Sequence, residues 1–289
     1  MLALDGLSVG DAFGQKFFIT PEKAISVARH RWLPVAPWRF TDDTVMALSV
    51  VESLVRFGEV REDELADAFA RRWAEDKGRG YGPGAFRILE AIRMGTPWRL
   101  AARSAFNGSG SMGNGAAMRV APVGAYFADD FAVVVEEARK SARVTHAHPD
   151  GIAGAIAIAV ATAASWQLRG QSDRAARIFA EVLRWTPASD TAEGVARAAQ
   201  IPLTEPVDDV AERLGAGHQV LSSDTVPFCI WSACRNLESF EDAMWNTVAA
   251  LGDRDTTCAI VGGIVAVSVG ARGMPEKWIA AREPLPTLE

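Results

Sequence analysis

Residues Phe40–Leu48 read FTDDTVMAL, two adjacent carboxylates set between threonines and followed at once by an apolar run. Asp42 and Asp43 repel each other, yet Val45, Met46, Leu48, Val51, Leu54 and Val55 recur behind them at helical spacing. The charges therefore stand at the mouth of a helix that buries one face. One reading is local. Thr and Asp oxygens accept from the free N–H groups of a first helical turn, and acidic residues there suit the helix dipole. The other reading requires a second oxygen-rich cluster, brought to the same place by the fold, with something positive between the two.

Such a cluster exists near the other end of the chain. Leu251–Gly270 reads LGDRDTTCAIVGGIVAVSVG, in which Asp253 and Asp255 alternate ahead of Thr256, Thr257 and another apolar helix. Two such mouths placed together supply four carboxylates. Like charges at a few ångströms repel or raise each other's pKa, so the group needs compensation. Mg²⁺ and Mn²⁺ favour carboxylate and water oxygens, and an Asp-x-Asp element lets one carboxylate bridge two ions. On spacing alone, two independent capping events remain the alternative.

The rest of the chain is read as helical. With 289 residues, 49% of them hydrophobic, the chain has material for a large core. Helical periodicity covers 2–13, 43–57, 61–76, 84–94, 130–144, 150–167, 171–184, 191–199, 225–237, 240–250 and 256–271, with a further segment at 206–214. Period-2 alternation is missing over any useful length, so the fold class is all-α, a multi-helix orthogonal bundle expected to form a single domain over 1–289. Apolar runs at 151–166 and 258–271 are rich in Ala and Gly and fall short of the roughly 20 residues of a spanning helix; they read as central helices. A net charge of −6 without a basic run argues against an extended nucleic-acid surface. Cys229, Cys234 and Cys258 form no C-x-x-C pair and lie in apolar surroundings, and the N-terminus lacks a basic n-region. A cytoplasmic, monomeric protein with no membrane partner is the expectation.

Four other segments carry candidate chemistry: GLSVGDAFG (6–14), GSMGNGAAMRVAPVG (110–124), THAHPDGIAGAIAIA (145–159) and TVPFCIWSA (225–233). The glycine loop offers backbone N–H groups and small side chains suited to phosphate oxygens, though an ordinary tight turn has the same composition. His146 precedes an apolar helix, where a lone histidine is commonly a hydrogen-bonded structural residue.

Taken together and in this order, these segments resemble the ADP-ribosylglycohydrolase family, over Gly6 to about Gly270. TDDT and GNGAAMRVAPVG match the family's motifs almost as they stand, and GDRDTTCAIVGGI is close. The resemblance implies an all-α fold around a cleft with two divalent cations, Mg²⁺ or Mn²⁺, and hydrolysis of the bond between C1″ of ADP-ribose and an acceptor. It implies Thr41, Asp42 and Asp43 as one set of metal ligands and Asp253, Asp255 and Thr256 as the other, with Asp255 bridging. It implies Ser111, Gly113, Asn114 and Gly115 as the diphosphate and ribose loop and His146 as a neighbour of the distal ribose or diphosphate. Asp11 is expected to support the ligands rather than to be one. Catalysis is expected to centre on Asp42, Asp43 and Asp255, with Asp43 handling the proton.

Two positions depart from the family pattern. Phe18 stands where many members carry a glutamate after the first motif, with Glu22 four residues on, and Arg254 interrupts the Asp-x-Asp element. Trp32 and Trp38 are candidates for lining the cleft, Tyr81 and Phe106 for stacking, and Trp73, Trp98, Trp231 and Trp245 for the core. Two alternatives stay open: an ADP-ribose-binding member with little turnover, and a two-metal phosphoesterase. The latter commonly uses histidine ligands, and His30, His146, His148 and His218 form no common ligand motif.

Overall fold

A computed structural model describes residues 1–287. The chain is about 68% helical. Its helices are α1 (Leu2–Gln15), α2 (Pro21–His30), α3 (Asp42–Phe57), α4 (Glu62–Glu75), α5 (Pro83–Arg93) and α6 (Trp98–Ser104). They continue with α7 (Ala121–Tyr126), α8 (Phe131–Arg143), α9 (Pro149–Gln167), α10 (Arg174–Trp185) and α11 (Asp190–Ala198). The last are α12 (Val207–Leu214), α13 (Ser222–Arg235), α14 (Phe240–Ala249), α15 (Arg254–Val269) and α16 (Glu276–Ala281). Among the described residues the only extended pairings are isolated bridges, Trp38 with Arg282 and Gly113 with Leu221, so the all-α expectation holds.

Four helices were not legible as such. α6, α7 and α16 are six or seven residues long, too short for a 3.6-residue period to declare itself. α2 did carry signals: Pro21 at its start, Glu22 in the first turn, Arg29 and His30 in the last. They are masked by the Trp- and Pro-rich stretch that follows.

The arrangement of α1 against α15 decides where the site lies. Gly6, Gly10 and Gly14 fall at four-residue intervals along one stripe of α1. A Cβ there would lie 2.3 Å from the Gly262 carbonyl oxygen, 2.0 Å from that of Cys258 and 2.1 Å from that of Arg254 respectively. The partners step by four residues in the opposite direction, so the two helices run antiparallel with their backbones in contact. α15 is buried from Thr256 to Ser268, and α9 from Ala153 to Ser165. α9 is long and apolar enough by composition to cross a membrane, but 78% of that stretch is buried inside the protein, which makes it a core helix. Its buried Thr162 hydroxyl donates to the carbonyl of Ile158 at 2.8 Å.

Trp38 is corrected from cleft to core. It is fully buried, 5.6 Å from Phe13 and 5.5 Å from Trp278 between ring centroids, and its Nε1 donates to the Pro34 carbonyl at 3.0 Å. A ring of that size is more stable packed between Phe13 and Trp278 than at a wet rim, once its N–H has a partner. Trp32 is 59% exposed and stacks on His30. Trp73, Trp98, Trp231 and Trp245 are buried as expected.

The C-terminal segment straps down the chain that enters α3. Trp38 N–H donates to Ala281 O at 2.7 Å, Glu283 N–H to Trp38 O at 2.8 Å, and Phe40 N–H to Glu283 Oε1 at 2.9 Å. Arg79 completes the clamp. Its guanidinium pairs with Glu283 and donates to Phe40 O, while its own carbonyl accepts from Asp42 N–H at 2.7 Å.

Replacing Gly10 by Ala inserts a methyl group into the Cys258 carbonyl, and the helices must separate. We expect a loss of about 3 kcal/mol in denaturant unfolding. Gly82→Ala, where a Cβ meets nothing within 4 Å, is expected to cost less than about 1 kcal/mol.

Candidate metal and substrate site

The N-terminus of α3 is built around Asp11 of α1. Asp11 is fully buried, and its carboxylate accepts from Thr41 N–H at 3.0 and 2.9 Å, Thr41 Oγ1 at 2.8 Å, Thr44 N–H at 3.0 Å and Thr44 Oγ1 at 2.5 Å. Thr41 also caps the helix, its Oγ1 accepting from Asp43 N–H at 3.4 Å. The first turn of α3 is thus tied to α1, and α1 is tied to α15 by the glycine stripe.

This chain of contacts brings the two acidic motifs together. Carboxylate oxygens of Asp11, Asp43 and Asp255 all lie within 4.8 Å of one another, an arrangement that could hold a metal ion. Asp42, Asp43 and Asp255 are pushed up from the ordinary carboxylate pKa first by burial. The next contribution is the negative charge of Asp11 for Asp42 and Asp43, and of Asp253 for Asp255. Asp42 is raised to about 8 and Asp11 to about 6. Among the described residues no lysine, arginine or histidine forms an ion pair with Asp11, Asp42, Asp43, Asp253 or Asp255. Asp43 Oδ1 is buried without a hydrogen-bond partner among the described residues. Hard oxygen donors, uncompensated charge and an orphaned lone pair are what a divalent cation fits.

The remaining motif residues take more specific places. Asp253 is the N-cap residue of α15, and its Oδ2 accepts from Asn114 Nδ2 at 2.8 Å. The same amide donates to Thr225 Oγ1 at 3.1 Å. Thr256 is buried, its N–H donating to Asp255 Oδ1 at 2.9 Å. The glycine loop is less open than its composition implies: Gly113 N–H goes to Ser111 Oγ and Asn114 N–H to the Val220 carbonyl. A buried loop must pair its backbone groups, and this one does so against the segment entering α13. The loop is pressed close to α9, because a Cβ on Gly151 would meet the Ser111 carbonyl at 2.6 Å and the His146 ring at 2.8 Å. His146 is 6% exposed, with Nε2 toward Gly113 and Gly115.

Around the mouth, Arg254 turns away from the carboxylates. Its Nη1 donates to Phe17 O at 3.0 Å and its guanidinium lies 5.1 Å from the Phe18 ring, which is half exposed. Glu22 is exposed in the first turn of α2. Tyr81 is near Asp42, whose charge adds to burial in raising the phenol's pKa. Phe106 is 52% exposed and covers Gly84. No histidine joins the carboxylate cluster among the described residues. Sequence reasoning gave Thr44 no part in the site and did not pair Asn114 with Asp253; both are contacts between segments far apart along the chain.

A model of the family described as ADP-ribosylglycohydrolase matches residues 2–289. The chain belongs to the ADP-ribosylglycohydrolase family. An uncharacterized protein of Archaeoglobus fulgidus is 32% identical over 302 residues, covering 98% of this chain and 91% of that protein. Human ADP-ribosylhydrolase ARH3 is 28% identical, covering 83% of this chain and 73% of its own. The ADP-ribosyl-(dinitrogen reductase) glycohydrolase of Rhodospirillum rubrum is 26% identical, covering 95% and 87%. A solved structure titled ADP-ribosylglycohydrolase-related protein complex superposes with a TM-score of 0.71 at 25% identity over 97% of this chain and 90% of that one. Membership in the ADP-ribosylglycohydrolase family carries with it glycohydrolase chemistry on ADP-ribose conjugates.

The raised carboxylates predict a pH signature for the metal-free protein. Below their ordinary value of 3.8 these groups are protonated in both folded and unfolded chains. Ionisation is disfavoured only in the fold, so stability is lost as pH rises from 3.8 to about 6 for Asp11 and from 3.8 to about 8 for Asp42, and levels off above. In chelator, the melting temperature is expected to fall over that range. Added Mg²⁺ or Mn²⁺ is expected to raise it by several degrees, more at high pH than at low.

Proposed function

We propose that this chain is a hydrolase dependent on two divalent cations, Mg²⁺ or Mn²⁺, that cleaves the N- or O-glycosidic bond at C1″ of ADP-ribose and releases ADP-ribose from a protein, nucleic-acid or small-molecule conjugate. The observation that carries this reading is the uncompensated carboxylate group of Asp11, Asp43 and Asp255 at the meeting of α1, α3 and α15. Thr41, Asp42, Asp43, Asp253, Asp255 and Thr256 would hold the ions, with Asp255 between them. Bound dications supply charge compensation, orient the sugar and activate water.

The chain's own residues do the rest. Departure of the acceptor from C1″ leaves positive charge on the sugar, as in other glycosyl transfers, and the aspartates lie where such charge is stabilised. Asp43 would take a proton from the attacking water, a role supported by an Oδ1 without a partner among the described residues and an Oδ2 close to Thr41 Oγ1. Asn114 holds Asp253 in one orientation rather than reaching into the cleft. Ser111, Gly113 and Gly115 form a surface against which the diphosphate can lie, with His146 beneath it. Tyr81 and Phe106 flank the approach.

Phe18 with Arg254 behind it favours a second reading, an ADP-ribose-binding protein with weak turnover, since no carboxylate occupies that position. The buried, unpaired thiols of Cys229, Cys234 and Cys258 support the reading of a reducing cytoplasmic setting.

Chromatography of products from a panel of ADP-ribosyl conjugates tests the activity. Release of ADP-ribose that stops with chelator is expected; AMP as product, or turnover unaffected by chelator, overturns the proposal. Asp42→Asn and Asp255→Asn are each expected to lower kcat by at least about 100-fold, and Asn114→Ala, which removes the amide that holds Asp253 and Thr225, by about tenfold. A fully active Asp255→Asn enzyme refutes the bridging role.

A further inference from the structure

Arg119 is 1% exposed and lies between the glycine loop and α7, and among the described residues its hydrogen bonds go to no carboxylate. Its Nη1 donates to Gly115 O at 3.2 Å, and its Nη2 donates both to Ser141 O at 2.7 Å and to Thr145 Oγ1 at 2.9 Å. Its guanidinium packs 4.4 Å from the Phe69 ring centroid. An arginine keeps its proton under such burial and can only donate. Thr145 Oγ1 therefore receives a hydrogen bond from Arg119 and must place its own proton elsewhere. Thr145 is 2% exposed, and the acceptor available is His146 Nδ1, at 2.8 Å.

The direction of this chain is consequential. If Nδ1 bore the imidazole proton, the buried Thr145 hydroxyl would receive two donors and have no acceptor for its own hydrogen, which is costly. Nδ1 is then the lone-pair nitrogen and Nε2 carries the hydrogen. Burial, and next the positive charge of Arg119, hold the imidazole neutral, its pKa lowered to about 3. Nε2 has no protein partner among the described hydrogen bonds. It lies 3.8 Å and 3.6 Å from where a Cβ would stand on Gly113 and Gly115. Those two glycines leave open the space into which Nε2–H points.

The geometry points to Arg119 and Thr145 as positioning residues that hold His146 in its Nε2–H form, aimed over Gly113 and Gly115 at an acceptor oxygen of bound ADP-ribose. This rests on the ADP-ribose reading of the site. The arrangement presents a neutral, single-proton donor of fixed direction, while the Gly115 carbonyl, which would repel an anionic oxygen, is turned toward Arg119.

Two measurements on the full chain test it. Long-range ¹H–¹⁵N correlation spectra, with the His146 signals assigned by their loss in His146→Gln, report which ring nitrogen is protonated. The wild type is expected to show the Nε2–H form alone. Thr145→Val keeps the shape of the side chain and removes the relay. It is expected to mix the tautomers and to raise the calorimetric Kd for ADP-ribose about tenfold, the scale of one hydrogen bond to a charged acceptor, while Thr145→Ser restores both. A wild type that binds ADP-ribose but carries the proton on Nδ1 overturns the relay alone. So does Thr145→Val with wild-type tautomer and affinity. A wild type that fails to bind ADP-ribose overturns the substrate reading and the donation with it, whichever tautomer the spectrum shows.

Discussion

Helix α1 lies directly on the backbone of α15 because Gly6, Gly10 and Gly14 place nothing between them. Everything at the site follows from that approach. Asp11, on the same helix, reaches the first turn of α3 on one side and the first turn of α15 on the other. With any side chain in the stripe, the two acidic motifs would be held apart by the width of that side chain, and neither would have the other's charge as a neighbour.

The second constraint is electrostatic. Asp11, Asp42, Asp43 and Asp255 gather where burial opposes their ionisation, and the nearby cations donate elsewhere: Arg254 to Phe17, Arg79 to Glu283 and Phe40, Arg119 to the glycine loop and Thr145. A fold optimised for stability alone would have paired these groups or replaced them by apolar ones. Leaving the negative charge unmatched keeps a place for cations from solution and raises their affinity, at a cost in stability for the protein without them.

The glycine loop illustrates how a motif's composition can overstate its openness. Its glycines serve close packing against the segments entering α9 and α13, and the N–H groups of Gly113 and Asn114 are already taken. What remains for a ligand is the shape of the loop and the histidine beneath it, whose proton is placed by residues that touch no ligand.

Much of this was legible in the linear sequence. Helical period and the lack of alternation implied an all-α fold, and apolar runs rich in Ala and Gly marked α9 and α15 as central. Paired aspartates before buried helices marked where charge would need compensation. These are properties of a residue and its near neighbours, and local periodicity reports them. The short helices α6, α7 and α16 escaped because a period needs length to be seen. Trp38 was misplaced because a tryptophan's preference for core or rim depends on which rings come to meet it. Asp11 against Thr41 and Thr44, Asn114 against Asp253, and Arg119 against Thr145 and His146 were decided only by the tertiary structure. The packing of α1 on α15 and of α9 on the loop sets which hydrogen-bond partner each buried polar group can reach.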